Sequence, residues 1–138
     1  MMGRADRRLA MAAMLASALP AAAASLLGAD EFERMSTGRT LLFSQSGIPY
    51  GAEQYLPDRN VIWQYMDGSC DRGYWYEDGP ALCFVYDGSP DPQCWVFESR
   101  EGDFFARLAG TQGGDPSELR LAGRTDKPLS CRAPGLGV

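Results

Sequence analysis

The side chains in this chain that can do chemistry are mainly carboxylates, because the sequence contains no histidine. The commonest general base is therefore missing, and Ser-His-Asp and Cys-His nucleophile systems are excluded. Glu53 lies between Tyr50 and Tyr55, and four further acids flank two turn signals, namely Asp67, Asp71, Glu77 and Asp78. A hydrolase needs two such carboxyl groups to converge in one cleft. Charged residues at turns are more often simply solvated than catalytic, so we expect the protein not to be an enzyme.

Metal and cofactor sites are not predicted. No two cysteines have the C-x-x-C spacing, and there is no histidine to complete a zinc site. Asp87-x-x-x-Asp91 lacks the acidic register and the distal glutamate of a calcium loop. We therefore expect neither a metal nor a cofactor.

The first 24 residues have the features of a cleavable signal peptide. An arginine-rich start precedes an apolar stretch from Leu9 to Leu19, which is followed by a proline and four alanines. The stretch has about eleven residues, whereas a bilayer span needs about twenty. We predict cleavage after Ala24, a periplasmic or secreted product and no stable membrane anchor. Arg7 and Arg8 leave open whether export follows the Sec or the twin-arginine route.

The mature chain, residues 25–138, is acidic. The full sequence has 13 basic and 18 acidic residues, and the signal segment holds three Arg and one Asp, which leaves 10 against 17 and a net charge of −7. This charge opposes binding to nucleic acid or to anionic lipid. It favours a cationic partner, although solubility alone is the simpler explanation.

All four cysteines follow the predicted cleavage site. An even number of cysteines in a small exported domain predicts disulfides, and four cysteines allow three pairings. If a hairpin loop centres near Ser89, then Cys83 and Cys94 fall nearly opposite each other on one face of the sheet. This register favours Cys83–Cys94 and leaves Cys70–Cys131 by elimination.

The mature chain is predicted to be one mainly β domain. We predict a helix at about 26–37, strands from about 40 to 121 and an irregular tail at 122–138. Turn signals at intervals of eight to twelve residues predict an antiparallel meander. Strands at 81–87 and 93–99, joined by a loop at 88–92, are apolar on both faces. The meander is therefore expected to form a curled sheet or a small barrel-like domain, with the one helix packed on it.

Aromatic residues are the most suggestive feature for function. Trp63, Trp75 and Trp95 fall on three predicted strands, and we expect Trp63 and Trp95 to lie in the core. Tyrosine joins apolar area to a polar group, which suits ligand sites and interfaces. The candidate ligand-binding residues are Glu53, Arg72, Tyr74 and Tyr76.

Several segments resemble a family of small uncharacterised secreted bacterial proteins. The most specific part is G-x-W at 73–75, then L-C-F at 82–84 and C-W at 94–95, and the similarity covers nearly all of the mature chain. The resemblance implies a β-meander domain and export. It implies no activity.

A second resemblance concerns the segment Ser46-Gly47-Ile48-Pro49-Tyr50. It is similar to the S-G-x-x-Y loop of periplasmic lysozyme inhibitors, which are small disulfide-bonded β-barrels. The Ser and the Tyr of that loop enter the lysozyme cleft. The resemblance implies that Ser46 and Tyr50 contact a protein partner.

The main expectation is a non-catalytic periplasmic binding module for a small molecule, a glycan or an envelope protein. The alternatives are a lysozyme-inhibitor-like protein that acts through residues 46–50 and a carboxylate-dependent hydrolase.

Overall fold

The computed structural model describes residues 14–19 and 24–132. The chain folds as a closed eight-stranded antiparallel barrel with one extra strand and one α-helix, which confirms the predicted mainly β, barrel-like domain. Within these residues, no helix is long and apolar enough to cross a bilayer. The predicted signal segment lies largely in residues 1–13 and 20–23, outside the described part.

Nine strands, one α-helix and a short 3-10 turn at 57–59 make up the described chain. In order they are β1 (Ser25–Leu26), α1 (Ala29–Ser36), β2 (Thr40–Gln45), β3 (Ile48–Tyr55), β4 (Asn60–Gln64), β5 (Cys70–Asp78), β6 (Ala81–Tyr86), β7 (Ser89–Arg100), β8 (Asp103–Leu108) and β9 (Leu119–Thr125).

The strand order around the barrel is β7-β6-β5-β4-β3-β2-β9-β8, and β8 pairs with β7 to close the ring. Chain neighbours lie side by side except where β2 meets β9, so the barrel is an almost uninterrupted meander. β1 extends the sheet by pairing with the far end of β7, where Ser25 lies opposite Ser99. Closure gives each barrel strand a partner on both sides, although β8 and β9 pair only at Phe105–Arg120 and Ala106–Leu119. Paired strands lack the open edges at which strands aggregate.

Helix α1 covers one end of the barrel, which we call the closed end. Phe32 is fully buried there, with ring centroids 5.3 Å from Tyr55, 5.4 Å from Trp75 and 4.4 Å from Phe97. Burial of such a ring contributes about 2–3 kcal/mol, and its aromatic contacts add to this. The other end, which we call the mouth, is formed by the β2–β3, β4–β5, β6–β7 and β8–β9 connections.

Both predicted disulfides are confirmed. Cys83 lies directly opposite Cys94 in the β6–β7 pair and is bonded to it, and Cys70 is bonded to Cys131. Two disulfides in a chain of this size are typical of an oxidising compartment. The second disulfide fixes the C-terminal tail to the start of β5.

The loop predicted at 88–92 is wrong, because β7 already begins at Ser89. The turn is confined to residues 87–88, and the pairing slips in register between Phe84 and Tyr86. Proline donates no backbone hydrogen bond and is tolerated in sheets at such irregularities. The two prolines of this stretch therefore lie inside the strand rather than ending it.

Element ends differ from the predicted ones at both termini of the domain. The helix covers Ala29–Ser36 rather than about 26–37, because Leu26 belongs to the short strand β1. The last strand continues to Thr125, so the first residues of the tail predicted at 122–138 are part of the barrel. Residues 133–138 of that tail lie outside the described part.

Candidate functional site

A cavity of about 130 Å³ opens at the mouth of the barrel. This volume is close to that of an apolar cavity that accepts one benzene ring, and it is well below that of a drug-sized pocket. Its wall combines residues of the barrel core with aromatic side chains that include Tyr50, Trp63, Tyr65, Tyr86 and Trp95.

Glu53 supplies the one carboxyl group among the described lining residues. Its side chain points into the barrel from β3 and is only 2% exposed. The Tyr86 hydroxyl, which reaches across from β6, donates a hydrogen bond to Glu53 Oε2. Burial raises the pKa of the Glu53 carboxyl to about 7, although hydrogen bonds from Tyr86 and Tyr55 oppose this rise.

The two tyrosines that surround Glu53 keep their protons over the physiological range. Burial and then the nearby Glu53 charge raise the pKa of Tyr55 well above its usual value. The same two causes, in the same order, raise the pKa of Tyr86. Both phenols are therefore hydrogen-bond donors, and Glu53 is the group of this trio that changes charge near neutral pH.

Two glycines make room for the aromatic walls. A Cβ atom on Gly51 would lie 2.3 Å from Cζ2 of Trp63, and one on Gly73 would lie 2.8 Å from Cδ1 of Tyr86. Gly73 is directly opposite Tyr86 in the β5–β6 pair. Each large ring thus lies over a position that has no side chain on the neighbouring strand.

The rim of the mouth is aromatic and acidic. Tyr50 and Tyr65 are both exposed, and their rings lie 5.8 Å and 6.3 Å from the Trp63 ring. Asp67 and Asp71, at the β4–β5 connection, are close enough for their charges to raise the pKa of Tyr65, after the larger effect of desolvation. Asp71 also accepts a hydrogen bond from the Gly88 amide, which joins two of the mouth connections.

The predicted ligand-binding residues do not form one site. Glu53 lies inside the barrel, whereas Arg72, Tyr74 and Tyr76 are exposed on its outer wall. Alternation along β5 explains the separation, because the buried Trp75 points inward and its neighbours must point outward. The ring centroids of Tyr74 and Tyr76 are 6.5 Å apart, so these two form a small aromatic patch on the outside.

The segment predicted to contact a protein partner is the β2–β3 hairpin. Ser46 and Gly47 both have positive φ, 49° and 78°, as a two-residue type I′ turn requires. Ile48 is 68% exposed and Tyr50 is 41% exposed. The two-residue tip has the exposed Ile48 beside it, and Tyr50 of the same hairpin also lines the cavity.

The five acids of the hydrolase hypothesis do not gather in one cleft, although the charges of Glu53 and Asp71 both reach Tyr86. Asp67 and Asp71 lie at the mouth, whereas Glu77 and Asp78 lie at the opposite end of β5. Seven residues of extended strand separate Asp71 from Asp78 by about 23 Å. Within the described chain, no group of three or more His, Cys, Asp and Glu side chains is placed to hold a metal ion.

Trp63 and Trp95 were expected in the core, and both are only partly buried because they line the cavity. Trp75 is the tryptophan that fills the core, beneath Phe32. Tyr65 and Tyr86 are not among the ligand-binding residues that the sequence predicts. The signal that could have found Tyr86 is its place at the mouth end of an inward-facing series with Leu82 and Phe84.

Comparison of the chain with protein-family models, with curated proteins and with solved structures finds no match.

Proposed function

We propose that this chain is a non-catalytic binding module that takes a small ligand into the mouth of its barrel. The observation that carries the proposal is the cavity itself, which is closed below by the core and lined by aromatic rings around one hydrogen-bonded carboxyl. Apolar walls with a few convergent polar groups are the usual composition of ligand pockets. A volume of about 130 Å³ suits a small molecule, or one ring of a larger one, better than a glycan chain.

The place of action in this proposal is the periplasm or the cell exterior. The two disulfides support an oxidising compartment. The arginine-rich start and the apolar stretch that follows support export with cleavage after Ala24.

The positions of the three tryptophans provide a direct test of ligand binding. Trp63 and Trp95 line the cavity, whereas Trp75 packs against Phe32 at the closed end. Each indole N–H gives its own peak in a ¹H–¹⁵N spectrum. Titration with benzylamine, benzyl alcohol and benzoate is expected to move the Trp63 and Trp95 peaks saturably with at least one compound and to leave the Trp75 peak in place. Trp→Phe variants assign the three peaks.

The opposite result would contradict the proposed function. If none of the three probes, whether cationic, neutral or anionic, moves the Trp63 or the Trp95 peak, the cavity does not bind ligands of its own size. The proposed function is then wrong.

Inhibition of a lysozyme is the second candidate function, and the exposed β2–β3 hairpin favours it. A two-residue turn with Ile48 exposed beside it makes a narrow projection of the kind that can enter an enzyme cleft. The resemblance of residues 46–50 to the inhibitor loop supports the same partner.

A muramidase assay tests this candidate. If the hairpin inhibits, then Tyr50→Ala and Ile48→Asp are expected to weaken inhibition at least about tenfold, as the loss of a central interface contact does. Tyr74→Ala, which removes an exposed tyrosine from the outer wall, is the matched control and should inhibit like the wild type. A wild-type protein that leaves the muramidase fully active ends the hypothesis.

A further inference from the structure

We infer that the ligand of the mouth cavity is a small organic cation whose ammonium group lies among the aromatic rings, above Glu53. This inference rests on the proposed function and names the class of ligand. Four features of the described chain carry it: a carboxyl without a counter-charge, a cluster of aromatic rings at the cavity, an acidic rim and a proton that the cation can replace.

Glu53 is a buried acid whose described polar contacts are all with phenols. Six ion pairs occur in the described chain, and none of them includes Glu53. The described lining of the cavity contains no Arg and no Lys. Two other acids with little exposed surface each have a cationic partner, since Glu98 is paired with Arg107 and Glu118 with Arg100. A buried carboxylate without a cation is costly, and a bound ammonium group would offset that cost.

Aromatic rings cluster at the mouth, where such a group would lie. The Trp63 ring has Tyr50 at 5.8 Å, Tyr65 at 6.3 Å and Phe43 at 6.3 Å between centroids. Rings arranged in this way bind organic cations through their negative faces.

The same fold covers aromatic faces with its own cations elsewhere. Arg59 lies 4.5 Å from the centre of the Trp75 ring, and Arg100 lies 3.8 Å from the centre of the Phe105 ring. Among the described residues, no Arg or Lys lies over the rings of the mouth in this way. The cavity wall therefore has aromatic rings and a buried carboxyl that are not paired with an Arg or Lys of the described chain.

The charges on the rim also favour a cationic ligand. Asp67 and Asp71 flank Tyr65, and the Asp71 charge also reaches Tyr86 inside the mouth. Arg132 offsets part of this field, because it lies near Asp67. The chain as a whole has a net charge of −5, so the long-range field also attracts cations.

Binding of an ammonium group should be coupled to loss of the Glu53 proton. The pKa of this carboxyl is about 7 in the free protein, so roughly half of the molecules hold the proton at neutral pH. Four phenols face the carboxyl or the space above it, those of Tyr50, Tyr55, Tyr65 and Tyr86, and Asp71 lies beyond Tyr86. β2, β4, β7, β8 and β9 contribute apolar side chains together with the uncharged Ser89 and Gln93. Glu53 is thus the group whose deprotonation accompanies binding.

The test uses three compounds with nearly the same skeleton and different charge: benzylamine, benzyl alcohol and benzoate. Each is titrated into the wild-type protein, Glu53→Gln and Glu77→Gln. Glu77→Gln is the matched control, because it removes one exposed carboxyl at the far end of the barrel. Benzylamine should bind best to the wild type, and Glu53→Gln should weaken its binding by about tenfold or more while benzyl alcohol changes by less than about twofold.

The pH dependence of benzylamine binding provides a second test, which needs no variant. Benzylamine stays charged over this range, so its affinity for the wild type should rise by about tenfold between about pH 6 and about pH 8, as Glu53 loses its proton. Calorimetry in buffers of different ionisation enthalpy should show a proton released on binding.

Different results would overturn the cation inference and the proposed function. Binding of benzyl alcohol or benzoate as tightly as benzylamine, or an amine affinity that Glu53→Gln and pH leave unchanged, overturns the cation inference and leaves a binding module. Binding of none of the three compounds overturns the proposed function itself.

Discussion

Removal of the Cys70–Cys131 disulfide is expected to lower the free energy of unfolding by about 4 kcal/mol, the largest effect we predict for a change outside the core. The bond joins residues 61 positions apart. In the chain-entropy description, such a link removes many conformations from the unfolded chain and so stabilises the folded one.

The tail that this disulfide holds also contacts the barrel wall. The Thr40 hydroxyl donates to the carbonyl of Lys127 at 2.8 Å, and the Gln64 amide donates to the carbonyl of Ser130 at 2.7 Å. The Leu129 amide donates to Gln54 Oε1 at 3.0 Å. These bonds connect β2, β3 and β4 to one segment, so loss of the disulfide should also loosen the tail.

Urea unfolding of Cys70→Ala/Cys131→Ala and of Cys83→Ala/Cys94→Ala measures the difference between the two bonds. The second bond joins residues 11 positions apart in one hairpin, and its removal should cost about 3 kcal/mol. Faster amide hydrogen exchange at Leu129 and Arg132 is expected in the first variant alone. Equal exchange at these amides in both variants would show that the tail stays in place without its covalent link.

The barrel itself could be predicted from local sequence features. Turn residues such as Asp67-Gly68 and Asp78-Gly79 recur at short intervals and separate stretches that favour strands. The predicted loop centre near Ser89 placed Cys83 opposite Cys94, and the other disulfide followed by elimination. In the structure the turn lies at 87–88, and the register slip between Phe84 and Tyr86 restores the same pairing. These features depend on residues close together in the chain.

The candidate site could not be predicted in the same way, because it depends on contacts between distant strands. Alternation shows that Trp75 faces away from Tyr74 and Tyr76, but it does not say which of the two faces is the interior. Glu53 reaches Tyr86 across the barrel, from a strand three places away. A sequence pattern along β3 alone gives no sign of that partner.

Local sequence patterns also did not predict that the sheet closes into a complete barrel. The β2–β9 pair brings residues from both ends of the domain together, with Thr40 opposite Thr125. Closure is also what buries Glu53, since an open curled sheet would leave this carboxyl in water. The raised pKa of Glu53 is thus a consequence of barrel closure.

The stability of the protein is expected to fall by about 3 kcal/mol between about pH 5 and about pH 8, because of Glu53. Its pKa is about 7 in the folded chain, compared with 4.5 for a free glutamate. The folded state therefore binds this proton more tightly than the unfolded state does. The stabilisation is fully present below pH 4.5 and is lost as the pH rises through about 7.

Urea unfolding at the two pH values checks this prediction. Glu53→Gln keeps a neutral side chain in the same place and should remove the fall, whereas Glu77→Gln should keep it. Asp67 and Asp115 have lowered pKa values because nearby serines donate hydrogen bonds to them. Their contributions are lost below the usual value of 3.8, outside the range tested. A wild type that is as stable at the higher pH as at the lower would mean that water or a cation already solvates the buried carboxylate.

The same measurement in the presence of benzylamine relates stability to the proposed ligand. A ligand that binds only the folded protein stabilises it according to its saturation, and this one should bind the deprotonated form. Its stabilising effect should therefore be larger at about pH 8 than at about pH 5, where Glu53 holds its proton. In Glu53→Gln, benzylamine should stabilise the protein weakly and equally at both values, because no carboxylate remains to pair with the ammonium group.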